Sequence, residues 1–277
     1  MKIYKIQMRK EDLTSIPANE RVFLIYAGHA LNELNVLCRM IIFAMPVRRG
    51  EAERQFMVIQ NMMLMRGLAG KLHEMWVLFN RTYYKSKLAV TLLGQIDEDA
   101  ELALKQLKVY FNTQAVSIST VRHKHAFHYD VAQVDAGLAK LHPKATLDIY
   151  FDHTSANTIW GFADSVINSA VMVVIDSESH KSAFETLMND TQEMAKSFQL
   201  VLEAIMGKII SERLAHRFTP ENVDSETVRS TNWKKIELPT FVEEPSPWSV
   251  TLSNEKVLEW AGQRLAGPEF LTSLIQD

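Results

Sequence analysis

The stretch VRHKHAFHYD, residues 121–130, gathers the side chains of this chain best suited to chemistry. Arg122 is followed by His123, Lys124, His125 and His128, with Tyr129 and Asp130 behind them. Three of the nine histidines therefore fall within six residues. An unperturbed imidazole titrates near pH 6.5, so it can accept or give a proton at neutral pH. A guanidinium stays charged and can grip two oxygens of a phosphate or carboxylate at once. Such a group of residues suits one of three roles: a metal site, a proton-transfer site beside an anion, or a polar patch closed by internal ion pairs.

For a metal, His125 and His128 are three apart and share a helix face, and Asp130 could complete the set. The chain has no HExxH, no CxxC and no second ligand cluster of recognisable spacing. No metal and no cofactor are expected. Proton transfer uses more of the stretch. Proton transfer beside an anion needs a base, an acid and a cation against the negative charge. Arg122 is the candidate cation and His128 the candidate proton carrier, with His123 and His125 assisting and Lys124 as a phosphate contact. On the first long helix His29, Asn32 and Glu33 make a polar stripe. That stripe is either a solvent-facing strip or a set of groups that orients the catalytic ones. In the polar-patch reading, Arg122 and the histidines pair with carboxylates such as Glu33 or Asp130.

Arg122 and His128, with His123 directly after the arginine, resemble the R-x(4–6)-H motif of HEPN-type proteins. His123 stands where that family usually has asparagine, which implies a positioning role for it. The resemblance implies a helical bundle over about residues 18–215 and a metal-independent endoribonuclease. It also implies a homodimer in which the arginine and histidine of two chains share one site. Some members of that family have lost catalysis and act as scaffolds or regulators. A non-catalytic helical protein binding a partner chain through its bundle face or C-terminal arm is therefore the alternative to an RNA-cleaving enzyme.

The elements that must carry these residues are mostly helical. From Phe23, apolar residues recur at Ala27, Ala30, Leu34, Leu37 and Ile41, giving one buried stripe that Pro46 ends. A second helix is predicted over 51–85, with Phe56, Ile59, Met63, Leu68, Leu72, Met75 and Phe79 inward. It is apolar around most of its circumference and belongs near the centre of a bundle. Its methionines read as adaptable core filling. Asp97 or Asp99 starts a third helix with Ala100, Ala103, Leu104, Leu107, Tyr110 and Phe111 on one face. Ile118 and Val121 lead into the histidine run on a fourth helix, and Asp130 opens a short helical segment that stops at Pro143. The β-branched and aromatic residues of 146–151 and 157–163 predict a β-hairpin near 146–163, with the turn at 152–156. Helix resumes near 165, and 181–215 carries Phe184, Leu187, Met194, Phe198, Val201, Ile205 and Ile209 on one side.

The fold expected is mainly α: an antiparallel bundle of four to five helices with a β-hairpin insertion, spanning 1–216. An extended C-terminal arm covers 217–277, since five of the eight prolines fall there. One short helix is predicted near 255–265. The formal net charge of −3 leaves no global basic field, so RNA would need a local cluster. Arg39, Arg66, Lys71, Lys105, Lys108 and Lys124 could assemble one. Cys38 is the sole cysteine, which excludes a disulfide within the chain and suggests a reducing, cytoplasmic setting. The first residues lack the apolar segment of a signal peptide, and no apolar run is long enough to span a bilayer.

Overall fold

The computed structural model describes residues 1–241, apart from 46–49, 93, 114–115, 127–130, 151, 153–156, 220–221, 233–234 and 237. His128, Tyr129 and Asp130 thus lie outside the described residues, as do most of the expected hairpin turn and the helix expected near 255–265.

The described chain is mainly helical, with a small two-stranded antiparallel sheet. It opens on strand β1, Lys2–Ile6, and a short helix α1, Lys10–Ser15. Then come the long α2, Ala18–Ala44, and α3, Glu51–Phe79, which continues through a π-turn at Asn80–Tyr84. After α4, Leu88–Leu92, helix α5 covers Glu98–Asn112. Asp97 caps α5, its carboxylate accepting from the Ala100 amide at 2.8 Å. Helix α6, Ser117–Val121, runs straight into a second π-turn at Arg122–Ala126. Next are α7, Val134–Lys140, α8, Gly161–Ile175, and the long α9, His180–Arg213, capped by Ser179. Strand β2, Val223–Thr227, then pairs antiparallel with β1, Lys2 opposite Thr227 and Ile6 opposite Val223.

Helix α3 packs against α2, α5, α6, α8 and α9, the central position its all-round apolar sequence calls for. The stripe of α2 is buried at Phe23, Ala27, Ala30, Leu34 and Ile41, and that of α9 from Leu187 to Ile209. The phase within α3 differs from expectation. Met63 is 57% exposed whereas its neighbour Met62 is 5% exposed. One residue is about 100° of rotation, and a helix with no broad polar face gives the sequence little to fix that rotation.

Three corrections concern the strands and the arm. Among the described residues the expected hairpin shows one bridge, in which Tyr150 and Ile159 exchange backbone bonds at 2.9 and 2.8 Å. Residues 161–163 belong to α8 instead: Gly161 approaches the Asp148 carbonyl and the Gln55 amide too closely for any side chain, and helix begins there. The N-terminal residues form a strand, and its partner is the beginning of the segment expected as an arm.

Ion pairs tie the ends of the bundle. Arg213 at the end of α9 grips Glu20 of α2 through Nε at 2.7 Å and Nη2 at 2.8 Å. Asp12 of α1 accepts from the Arg9 amide at 2.6 Å and from Arg217 Nε at 2.9 Å, with His216 Nε2 3.3 Å away. These contacts, the Arg9 amide foremost and Arg217 next, draw the Asp12 carboxyl down to about 2.

Candidate functional site at the Arg122 turn

Arg122 is the first residue of a π-turn, a wider turn with i→i+5 bonding that often marks functional positions. The sequence places Arg122 and His128 about 120° apart on a straight helix. The straight α-helix that this angle assumes does not hold over Arg122–Ala126.

Helix α6 is short, and contacts outside it set its direction. Ser117 donates to Asp190 Oδ2 of α9 at 2.6 Å, and Tyr110 of α5 donates to the same oxygen at 2.7 Å. Ile118 and Val121 are fully buried. The geometry of Arg122 thus depends on a junction of α5, α6 and α9.

On the other side Arg122 meets α3. Its Nε donates to Glu74 Oε1 at 2.8 Å and its Nη2 lies 2.7 Å from the same oxygen. Its Nη1 is 3.2 Å from His123 Nδ1. A guanidinium only donates, so His123 Nδ1 is the acceptor, and the neutral ring carries its proton on Nε2. The His123 ring also stands edge-on to His73 of α3, with centroids 5.0 Å apart. His73 Nδ1 is 3.1 Å from Ser119 Oγ, and its ring is edge-on to Phe111. Burial holds His73 below the ordinary imidazole range. Its neighbours His123 and Arg122 push the same way, and Glu74 opposes them. The result is a neutral, base-capable imidazole beside a fixed cation.

The other sequence candidates divide. Lys124 and His125 are half-buried in the turn, and His123 is exposed. Glu33 belongs to a different ion pair from Arg122: Lys71 Nζ lies 2.6 Å from its Oε1, and His29 Nε2 3.6 Å from its Oε2. Asn32 is exposed. Arg122 does pair with a carboxylate, but with Glu74 and not Glu33. Of the basic residues that could have formed a patch, Lys71 is taken by Glu33, and Arg66 lies 4.0 Å from Asp164.

Sequence reasoning missed His73, Glu74 and Ser119. A signal was present in α3, where Lys71, His73 and Glu74 fall within four residues amid the apolar stretch Leu68–Phe79. Among the described residues, no group of three His, Cys, Asp or Glu side chains is placed to hold a metal, and no helix is long and apolar enough to cross a membrane. No family model, curated protein or solved structure matches the chain significantly.

Proposed function

We propose that the protein is a HEPN-like, metal-independent endoribonuclease acting as a homodimer, with Arg122 on the scissile phosphate and His128 transferring protons. The observation that carries this reading is the meeting of Arg122, His123 and a neutral His73 at one π-turn. In the reaction, a neutral imidazole takes the proton of the RNA 2′-hydroxyl and the 2′-oxygen attacks phosphorus. The bond to the 5′-oxygen breaks, and that oxygen leaves with a proton from an imidazolium. The products are a 2′,3′-cyclic phosphate and a 5′-hydroxyl. Arg122 offsets the charge on the phosphate, and Glu74 presets the guanidinium. Separate base and acid groups are needed at opposite ends of the phosphate, and a two-fold axis through the motif would supply both.

One observation favours a second reading, a non-catalytic helical protein that binds a partner chain. The charge of Arg122 is already answered by Glu74, so the cluster is satisfied within the chain. Incubating the purified protein with mixed RNA in EDTA separates the two. Cleavage that resists the chelator and falls at least about 100-fold in His128→Ala supports the enzyme. Mixed dimers of Arg122→Ala and His128→Ala then recover part of the activity. A folded wild-type protein that leaves RNA intact removes the enzymatic reading. A monomer in sedimentation at micromolar concentration removes the shared site.

A further inference from the structure

A separate cleft of about 520 Å³ lies between α3 and α8, walled also by residues near the end of α2 and the start of α9. Its volume is in the range that holds small organic ligands. Asn61 on its wall lies thirteen residues before Glu74, about 20 Å along the α3 axis from the Arg122 turn. Six methionines line it, Met62, Met65 and Met172 among them. Thioether side chains of this kind adapt to an apolar guest.

Among the polar groups of the cleft are two acceptors left without a donor, beside a carboxylate. Asn61 donates its amide to the Ala44 carbonyl at 3.0 Å, which fixes the orientation of the side chain and turns Oδ1 away. That Oδ1 is buried and makes no hydrogen bond, and the same holds for Asn168 Oδ1. A buried oxygen left so costs free energy that a donor from a guest would recover. Asp164 sits one helical turn before Asn168 on α8, and its carboxylate lines the same cleft, 4.0 Å from Arg66. Ser169 spends its proton on the Gly137 carbonyl at 2.7 Å, so towards His180 Nε2, 3.4 Å away, it can only accept. Asn61 and Asn168 thus ask a guest for N–H or O–H donors, and Asp164, beside Arg66, adds a carboxylate.

We propose that this cleft binds a small amphipathic amine, its alkyl or aryl body among the methionines and its ammonium donating to Asp164, Asn168 and Asn61. The acceptors and the carboxylate make up the head site, and the apolar wall selects the body. Carboxylates of the same size are disfavoured, because they bring acceptors to acceptors and a negative charge to Asp164.

The test uses the full chain, labelled with ¹³C at the methionine methyls, and three probes of one length: octylamine, octanol and octanoate. Octylamine is expected to bind with a 1:1 stoichiometry in calorimetry. It should shift the methyls of Met62, Met65 and Met172 while leaving that of exposed Met63 in place. Octanoate is expected to bind at least about tenfold more weakly, and Asp164→Asn should reduce octylamine affinity roughly tenfold, the worth of one hydrogen bond to a charge. Asp164→Asn is near-isosteric, so it reads the head site without repacking the cleft. Equal binding of the three probes would reduce the cleft to an unspecific apolar trap and overturn the proposal. Shifts confined to Met63, or no binding of octylamine at millimolar concentration, would overturn it as well.

Discussion

Replacing Tyr110 by phenylalanine removes one hydroxyl from the junction that aims the Arg122 turn. In the wild type that hydroxyl donates to Asp190 Oδ2 at 2.7 Å, beside the Ser117 bond to the same oxygen at 2.6 Å. Burial foremost pushes the Tyr110 phenol well above its ordinary range, so it remains a donor at every working pH. The ring itself stays packed on Phe111, so the change removes only the hydroxyl's polar contacts, the Asp190 bond first and the weaker Ile118 amide contact at 3.4 Å with it. A bond to a charged acceptor contributes about 1.5–3 kcal/mol. Asp190 is half-buried and can recruit water in place of the phenol, which puts the expected loss at the lower end, about 1.5 kcal/mol. For a chain of this size that is a fall in Tm of roughly 3–5 °C. Urea unfolding followed by far-UV circular dichroism measures it, and a double-mutant cycle with Ser117→Ala should give a coupling of at least about 0.5 kcal/mol. A Tyr110→Phe loss below about 0.5 kcal/mol, or strict additivity with Ser117→Ala, would refute the idea that this junction positions α6.

Other outcomes follow from the same geometry. Gly137→Ala puts a Cβ 2.6 Å from the Val166 carbonyl and 2.7 Å from the Ala170 amide, backbone atoms that cannot give way separately; thermal unfolding should show α7 and α8 destabilised by about 1–3 kcal/mol. The depressed carboxyl of Asp12 contributes stability that is complete above its unfolded value near 4 and is lost as pH falls towards 2. Asp12→Asn should therefore be less stable than wild type at pH 7, with the gap closing in acid titrations below pH 4. His73 resists protonation in the fold, whereas the unfolded chain takes up that proton near pH 6.5, so stability should decline as pH falls below about 6.5. His73→Gln should flatten that slope in urea titrations at stepped pH. If the two-fold site forms, the homodimer should weaken between about pH 6.5 and 5 in sedimentation, as histidines near the axis charge.

What the sequence determined by itself is local. The recurrence of Phe23, Ala27, Ala30, Leu34 and Ile41 named the buried face of α2, and the aspartates at 97 and 99 marked the start of α5, where Asp97 is the cap, because helix period and capping involve residues within a few positions of one another. The composition of 121–126 likewise singled out the turn that brings a cation and imidazoles together. Tertiary packing decided which groups meet there. Glu74 and His73 reach Arg122 and Ser119 across 48 and 46 positions of chain, and only the seating of α3 against α6 makes them neighbours. The pairing of β1 with β2 closes a still longer loop; all five β1 residues are exposed, so burial left no alternation to read. The rotation of α3 was also decided late. A helix apolar on nearly every side lets any face be the inner one until its neighbours dock, and they buried Met62 and left Met63 in solvent.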